Sequence, residues 1–335
     1  MEVRTLKPED YPEWDKFVNL SPQGDIFDYS WWLDTVTPKF EINALYENGK
    51  IVAGMPLAYD EYGRINEPPL TRTLGILFTP GKDKKSSSNQ RKWAALLVNH
   101  MPVGKVAQFC THHNFIDWLP FKWSGFKQTT RYTYLIDYSG KEESDLWNGL
   151  NRGKKSIINK ASKNGVRVVE SDDPAVAYAF LEKSYKRQGL NVRYTKDILI
   201  RLDKVIKRNI HRIILNATGS DGSVHASIYV AWNNRSAYYL LSGSDPDKRH
   251  LGGHTLVLWN AIRSLRSKSE YFNFGGSDIR NIEQHVSGFG GILTPYFHIY
   301  NDKVLHSTDP HYHFDNLMYH LTGLIKASVM RLFRN

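Results

Sequence analysis

Apolar residues follow two spacings along the chain, and segments of the two kinds alternate. Helical spacing is clear after Thr195, a suitable cap residue, where apolar positions recur three or four residues apart. Asp173 followed by Pro174 marks the start of another helix, because aspartate suits the cap and proline the first turn. Short apolar runs between turn residues predict strands. The alternation predicts an α/β or α+β protein, with mixed central sheets flanked by helices.

The second half of the chain gives the more complete order of elements. Strands joined by short polar turns predict an antiparallel unit, which helix, strand, helix and strand then follow. The predicted segments are the strands 211–217, 223–232 and 236–241, the helix 252–267, the strand 271–274, the helix 279–287 and the strand 294–300.

The first half repeats this order without visible residue identity. The tight-turn sequence Glu47-Asn48-Gly49-Lys50 predicts a hairpin. The predicted segments are the strands 42–46 and 51–59, the helix 89–100, the strand 105–110, the helix 116–123 and the strand 131–137. Matching orders predict two copies of one fold. We place the first copy in residues 1–140 and the second in residues 141–304.

Composition limits the class of protein. The 335 residues carry 44 Lys+Arg and 34 Asp+Glu, a formal net charge of +10, and 41% are hydrophobic. This apolar share allows a packed core and excludes a wholly disordered chain. The single cysteine, Cys110, cannot pair within the chain, so a reducing, cytoplasmic setting fits best. No apolar run approaches the ~20 residues of a membrane span. The positive charge suits a polyanionic partner.

Two basic segments offer places for such a partner. The predicted helix near residue 152 carries Lys154, Lys155 and Lys160, which could contact the phosphates of tRNA; a merely solvated face is the alternative. The tail 305–335 combines an apolar stripe with basic residues. We expect it to be a helix that docks on the core, with peripheral contact to a membrane surface as the alternative.

One loop has the features of an anion-binding site. Small residues end a predicted strand, and a basic, glycine-bearing loop then opens a helix. Backbone N–H groups at a helix start attract anions, glycine allows close approach, and arginine adds a charged fork. The loop predicts a site for a pyrophosphate or phosphodiester, with a helix start packed through its glycines as the alternative. Its residues are Ser242, Gly243, Arg249, Gly252 and Gly253.

The loop resembles the acetyl-CoA pyrophosphate loop of the GNAT acyltransferases, Arg/Gln-x-x-Gly-x-Gly/Ala. Arg249 and Gly252 match this pattern, whereas His254 stands where it has glycine or alanine. A histidine there would crowd a pantetheine-linked pyrophosphate. The surrounding order of strand, loop, helix, strand, helix and strand is also the order expected of that fold.

Several further runs resemble the Fem family of aminoacyltransferases and its FemAB-related, BioF2-like relatives. Together they cover most of residues 20–300 in the family order. The resemblance implies two tandem GNAT-like domains, with the tail returning to the first. The runs are Ser21-Pro22-Gln23-Gly24 with Trp31-Trp32, Gly153-Lys154-Lys155 through Gly165-Val166, Ser242-Gly243-Ser244-Asp245, Phe274-Gly275-Gly276-Ser277 and Phe289-Gly290-Gly291.

The resemblance also implies the chemistry, which is transfer of an acyl or aminoacyl group to an amine. We expect an N-acyltransferase whose co-substrate is aminoacyl-tRNA or acyl-CoA, with no tightly bound cofactor. The expected acceptor is an amine of a cell-envelope precursor, of peptidoglycan or surface polysaccharide. At two positions where peptidoglycan members hold a diphosphate this chain has Val36 and Val286, although Arg193 matches a third. These valines count against a nucleotide-linked acceptor.

In a GNAT-like sheet the acyl group would enter where the strand ending near Leu241 diverges from the next central strand. Tyr239 and Ser244 could donate or relay a proton there, and Asp245 could be a base, although aspartate before proline is a common turn former. An activated donor needs no protein nucleophile, so we expect Cys110 to be a small buried residue. The predicted substrate-binding residues are Tyr185, Arg187, Arg193, Phe274, Gly275, Gly276 and Ser277.

Some alternatives stay open at the level of sequence. His285 is a second candidate base, or a structural histidine. The histidines near the C-terminal end of the sequence lack partners at metal-ligand spacing, so we expect no metal. A different class of function is a non-catalytic protein of the same fold that binds RNA or an anionic glycan through its basic face.

Overall fold

Two β-sheets organise the chain in the computed structural model, which describes residues 1–81, 84–276 and 280–301, with only the backbone of 84–87. The strands are β1 (Glu2–Thr5), β2 (Lys39–Glu47), β3 (Lys50–Tyr59), β4 (Leu77–Phe78), β5 (Gln108–Cys110), β6 (Lys127–Asp137), β7 (Arg167–Ser171), β8 (His211–Thr218), β9 (Val224–Trp232), β10 (Ser236–Ser244), β11 (Tyr271–Asn273) and β12 (Ile292–Tyr300).

The helices lie between these strands in the alternation that the sequence predicts. They are α1 (Tyr11–Leu20), α2 (Ser30–Val36), α3 (Lys84–Asn99), α4 (Leu119–Trp123), α5 (Glu143–Gly149), α6 (Arg152–Lys163), α7 (Pro174–Arg187), α8 (Lys196–Asn209), α9 (Gly253–Ser264) and α10 (Arg280–Val286). The predicted α/β class is confirmed. The predicted tail helix 305–335 lies outside the described residues.

The smaller sheet has the order β1-β2-β3-β4, and the larger sheet has the order β5-β12-β6-β11-β10-β9-β8-β7. Both β5 and β6 precede residue 140 in the chain, yet they pair with β12, and β6 also pairs with β11. The larger sheet therefore crosses the boundary that the sequence places at residue 140. The division into domains at that point stays a prediction.

Local sequence signals account for several element ends. Asn48 and Gly49 have φ values of 51° and 74°, the left-handed conformations that a two-residue turn between β2 and β3 requires. The Asp173 side chain accepts a hydrogen bond from the backbone N–H of Ala175 at 2.9 Å, which caps α7. Both signals were readable in the sequence because each depends on neighbouring residues only.

The end of β10 differs from the prediction. The sequence predicts that the strand ends at Leu241, but Ser242, Gly243 and Ser244 stay paired to β9. A Cβ on Gly243 would lie 1.8 Å from the backbone oxygen of Phe180 in α7. The small residues therefore let a helix cross close to a strand; they do not end the strand.

Packing joins the two halves across the larger sheet. One face packs against α7, α8 and residues of the N-terminal half such as Phe27 and Trp32, which share a core with Tyr238 of β10. The other face packs against α5, α6 and α9, in a core that includes Tyr239 of the same strand. Alternate residues of β10 thus face different cores. No helix among the described residues is long and apolar enough to cross a membrane.

Candidate functional site

The larger sheet splits between β10 and β11. The two strands pair in parallel over three residues each, from Ser236 to Tyr238 on β10. β11 then ends at Asn273, and β10 continues past it. β10 also carries a β-bulge, in which Leu240 is the extra residue where its register against β9 shifts. This split lies where the sequence predicts that the acyl group enters.

An arginine of the N-terminal half reaches into the split. Nη2 of Arg72 donates to the carbonyl oxygen of Leu240 at 2.8 Å. Across the split, Nε of Arg72 lies 3.2 Å from the position that a Cβ would take on Gly275. Arg72 also lines a narrow opening, with a volume of about 10 Å³, together with Tyr238 and Asn273. Residues of both halves therefore bound the opening at the split.

A chain of polar side chains begins at Tyr239. Its hydroxyl donates to Ser242 and lies 3.0 Å from Nε2 of His254, near the start of α9. The ring centres of His254 and His285 are 4.9 Å apart. Nδ1 of His285 lies 2.9 Å from Nζ of Lys154. These side chains connect β10 through α9 and α10 to α6.

Burial favours the uncharged form of each titratable group in this chain. It lowers the pKa of Lys154 to about 8. It also lowers the pKa of His254 to about 4 and that of His285 to about 2, where neighbouring positive charges add to the effect. The pKa of the Tyr239 hydroxyl is raised, again mainly by burial. In the described part of the chain, the buried Nε2 of His285 has no hydrogen-bond partner.

Lys154 is not on the solvated face that the sequence suggests for the basic helix. Its side chain is buried, and Nζ lies 4.9 Å from the ring centre of Phe289. Lys160 is exposed and Lys155 is partly exposed. Contact with a polyanion stays a prediction for those two residues. Lys154 cannot share it, because its side chain points into the protein.

The glycines at the start of α9 are required by packing. Gly252 has a φ of 76°, and a Cβ there would lie 2.7 Å from the side chain of Ile157 in α6. A Cβ on Gly253 would lie 2.9 Å from the side chain of Ala217 in β8. The start of α9 is therefore covered by α6. This geometry favours the packing alternative over close approach of a phosphate to the glycine backbone.

Two of the predicted ligand-binding arginines come close together at the surface. Arg187 and Arg249 are both exposed. Partial burial lowers the pKa of Arg187, and the positive charge of Arg249 lowers it further. Arg193 is exposed in the segment between α7 and α8. Asp245 pairs with Lys183 at 2.7 Å; this hydrogen bond lowers its pKa and makes the carboxylate a weaker base.

The remaining predicted residues divide between the split and the core. Gly275 and Gly276 have φ values of 78° and 74°, and a Cβ on Gly276 would lie 2.5 Å from Oη of Tyr296. Gly275 thus borders the split, whereas Gly276 allows close packing against β12. Ser277 lies outside the described residues. Phe274 and Ser244 are buried, and Tyr185 packs against the core at the junction of the halves.

The run that begins at Ser21 holds the two halves together. The guanidinium of Arg235 donates to the carbonyl oxygens of Ser21 and Gly24, the latter at 2.9 Å. The next residue, Asp25, is fully buried and accepts hydrogen bonds from Tyr238 and, at 2.6 Å, from Ser236. Burial raises the pKa of Asp25 to about 6, although these hydrogen bonds oppose the shift. This run therefore has a structural explanation at the junction.

Sequence reasoning missed the residues that bring the N-terminal half to the split. They include Arg72 and also His113, which lines the same opening and whose pKa burial lowers to about 4. The available signal was the polar run that begins at Thr111, directly after a predicted strand. No comparable signal marks Arg72, because its partner Leu240 is 168 positions away.

The only cysteine is buried, as the sequence predicts. Sγ of Cys110 accepts a hydrogen bond from Arg131 at 3.4 Å, and burial raises the pKa of its thiol well above the usual value. This environment does not favour a thiolate nucleophile. Across residues 1–81, 84–276 and 280–301, no group of three or more side chains is arranged to hold a metal ion.

Comparison with known proteins adds a domain assignment. Residues 153–281 match the sequence family described as an acetyltransferase (GNAT) domain. This segment contains β10 and β11, which border the split, and α9. No curated protein sequence matches the chain.

Solved structures with the same fold cover most of the chain. FemX is similar with a TM-score of 0.65 at 13% identity, over 89% of this chain and 97% of that chain. A tandem GNAT protein from the clavulanic acid biosynthesis pathway gives 0.55 at 12% identity, over 89% and 97%. The C-terminal domain of a proposed lysylphosphatidylglycerol synthetase from Agrobacterium fabrum gives 0.53 at 13% identity, over 87% and 91%. The match of residues 153–281 to an acetyltransferase (GNAT) domain confirms the predicted N-acyltransferase class, and the described chain has the fold of FemX and of the tandem GNAT protein.

Proposed function

We propose that the chain transfers an aminoacyl group from aminoacyl-tRNA to an amine of a cell-envelope precursor, in the cytoplasm. The observation that carries the proposal is the split between β10 and β11, with the bulge at Leu240, inside the GNAT domain. Where two parallel strands diverge, the backbone beyond their paired residues can face a bound acyl group from fixed positions. Positioning and charge stabilisation are what acyl transfer from an activated donor requires.

The packing of α9 supports tRNA over acyl-CoA as the donor. In the GNAT pattern, the pyrophosphate of the cofactor lies at the helix start that Gly252 opens here. Ile157 of α6 packs on that glycine, and the His254 ring hydrogen bonds to Tyr239 next to it. α6 therefore takes up space beside Gly252 that a CoA pyrophosphate at this helix start would need. Exposed Arg187 and Arg249 instead offer charge for a phosphate backbone at the surface.

The likeness to FemX and to a proposed lysylphosphatidylglycerol synthetase supports a cell-envelope acceptor. An amine acceptor also agrees with two side chains that line the opening, since the hydroxyl oxygens of Thr133 and Tyr238 can accept hydrogen bonds from an amine. Val36 and Val286 replace two diphosphate-holding residues of nucleotide-specific members. We therefore place the acceptor among lipid-linked or polysaccharide precursors.

The test is a transfer assay with the full chain. Purified protein is incubated with total tRNA charged with radiolabelled amino acids, or with labelled acyl-CoAs, and with amine-bearing precursors extracted from cell envelopes. We expect label to move from tRNA into a product that resists mild alkali, as an amide does. We expect Arg187→Ala combined with Arg249→Ala to lower transfer. Arg263→Ala, an exposed arginine at the other end of α9, is the matched control.

Two results would count against the proposal. Transfer from acyl-CoA but not from tRNA would show that the donor assignment is wrong. Absence of transfer from either donor class, with salt-sensitive RNA or glycan binding retained, would favour the non-catalytic alternative. Mass spectrometry of envelope amines from a deletion strain would then identify any modification that the chain installs in the cell.

A further inference from the structure

Arg72 occupies a position that links both halves of the chain to the split. Its Nη2 donates to the Leu240 carbonyl on β10 at 2.8 Å. Its Nε lies 3.2 Å from the Cβ position of Gly275, on the segment that follows β11. The guanidinium group therefore lies between Leu240 on one edge of the split and Gly275 on the other. Because Arg72 is 168 positions from Leu240, this arrangement exists only once the two halves have assembled.

The donors of Arg72 are used only in part. Leu240 is the extra residue of the bulge, so its carbonyl needs a hydrogen-bond partner outside the strand ladder. One N–H suffices for that, and a guanidinium has five. Nη2 is the single Arg72 donor with a hydrogen-bond acceptor among the residues described. Arg72 also lines the opening at the split, where a second acceptor could reach its remaining donors.

The side chain of Arg72 is exposed and carries its positive charge at the edge of the opening. The ion pairs found among the described residues do not include it. Glu67 is buried nearby, and the charge of Arg72 partly offsets the rise that burial causes in the pKa of its carboxyl group. Arginine stays charged at any pH at which the protein is folded. A fixed positive charge beside a small opening suits an oxygen atom that becomes negative.

We propose that Arg72 is a catalytic residue that binds the carbonyl oxygen of the donor's acyl group and stabilises its negative charge during transfer. This rests on the proposed acyl-transfer function. The acceptor nitrogen forms a bond to the acyl carbon, and an electron pair of the carbonyl moves onto the oxygen held by Arg72. When that pair returns, the bond to the ribose oxygen of the donor breaks. The ribose oxygen takes up a proton, and the new amide nitrogen releases one to solvent.

A purely structural role is the rival explanation, and Arg235 provides the comparison. Its guanidinium also donates to backbone carbonyls across the two halves, those of Ser21, Gly24 and Asn19. Arg235 does not line the opening at the split. Replacing either arginine by methionine removes hydrogen bonds that join the halves. Only the replacement of Arg72 removes charge from the split.

The experiment uses a small surrogate donor, so that it does not depend on the natural one. The full chain is given p-nitrophenyl acetate as donor and glycinamide as acceptor. The release of p-nitrophenolate, the formation of the amide and the melting temperature of each variant are measured. We expect the wild-type chain to accelerate the reaction over the uncatalysed rate, and Arg72→Met to lower this catalysed turnover ~10²–10³-fold. Arg72→Lys retains charge without the fork and should lose less. Arg235→Met should lower the melting temperature but keep turnover within about threefold of wild type.

Chemical rescue separates catalysis from folding. Millimolar methylguanidinium should restore part of the turnover of Arg72→Ala, because it can occupy the vacated space, and should not change Arg235→Met. If Arg72→Met does not fold, the turnover and melting temperature of Arg72→Lys are compared with those of wild type instead. Equal turnover in Arg72→Met and wild type, equal losses in Arg72→Met and Arg235→Met, or no acceleration by the wild-type chain would overturn the assignment. If the surrogate reaction depends on Arg72 but aminoacyl-tRNA gives no transfer, the proposed function is wrong while the role of Arg72 stands.

Discussion

Lys154 shows that a lysine within a basic run can be buried. It stands in a basic run, yet it lies four residues before Ile158 and seven before Ala161, both buried. Residues at these spacings share one face of a helix. The sequence therefore did contain the signal that Lys154 points inward. What it could not supply is the partner, because Nδ1 of His285 is 131 positions away.

The lowered pKa of Lys154 predicts a pH-dependent stability difference. Its pKa is about 8 in the folded protein and ~10.4 when unfolded, so the unfolded state binds more protons between these values. The destabilising effect of its buried charge is complete below pH ~8 and is lost as the pH rises towards ~10. The stability of wild type relative to Lys154→Met should therefore rise by about 1–2 kcal/mol between pH ~7 and pH ~10.

Denaturant unfolding at a series of pH values measures this difference. Lys155→Met is the matched control, since Lys155 is partly exposed on the same helix and its replacement should show no such trend. A constant difference between Lys154→Met and wild type across the pH range would contradict the burial of Lys154 in its charged form.

Elements were predictable where their ends depend on local residues. The hairpin turn at Asn48-Gly49 and the cap at Asp173 follow from neighbours in the chain. The end of β10 was not predictable in this way. Gly243 looks like a strand terminator, but its function is to accept the backbone of α7, an element more than fifty positions earlier in the chain. Sequence spacing gives no measure of such a crossing.

The close crossing of α7 and β10 predicts a large effect of a small substitution. A methyl group at Gly243 would lie 1.8 Å from the backbone oxygen of Phe180, and backbone cannot move as a side-chain end can. Gly243→Ala should destabilise the protein by about 3 kcal/mol or more. In Gly149→Ala the nearest atom would be 3.8 Å away, so stability should change by less than about 1 kcal/mol. Equal unfolding midpoints for the two variants would show that α7 does not pack on β10 as described.

The net charge of +10 becomes informative at the scale of the whole molecule once burial is known. Lys154 is buried, whereas Arg72 is exposed at the split, and Arg187 and Arg249 are exposed and close to each other. Arg187 and Arg249 therefore offer a polyanion two neighbouring charges at the surface. The sequence indicated this partner class, but only the fold separates exposed charges from a buried one such as Lys154.

This separation predicts the salt dependence of tRNA binding. A side chain that neutralises one phosphate contributes a slope of about −0.7 to −0.9 to the plot of log affinity against log salt. Arg187→Ala and Arg249→Ala should each make the slope less negative by about that amount. Lys50→Ala, at the exposed first residue of β3, should leave the slope unchanged. Fluorescence anisotropy with labelled tRNA between ~50 and ~200 mM salt measures the slopes. Unchanged slopes in both arginine variants would exclude this surface as the tRNA contact.

The shared sheet predicts how the chain responds to being divided. The sequence suggests a boundary after residue 140, but β6 lies between β12 and β11, and the buried hydroxyl of Tyr138 donates to the Ile262 carbonyl at 2.7 Å. A fragment 141–335 would lack β6, leaving β12 and β11 with unpaired edges inside the sheet. We expect fragments 1–140 and 141–335 to show no cooperative unfolding when prepared separately, and to regain it when co-expressed. Circular dichroism during denaturation measures this. Cooperative unfolding of each fragment alone would instead establish residue 140 as a true domain boundary, with the shared sheet formed only on docking.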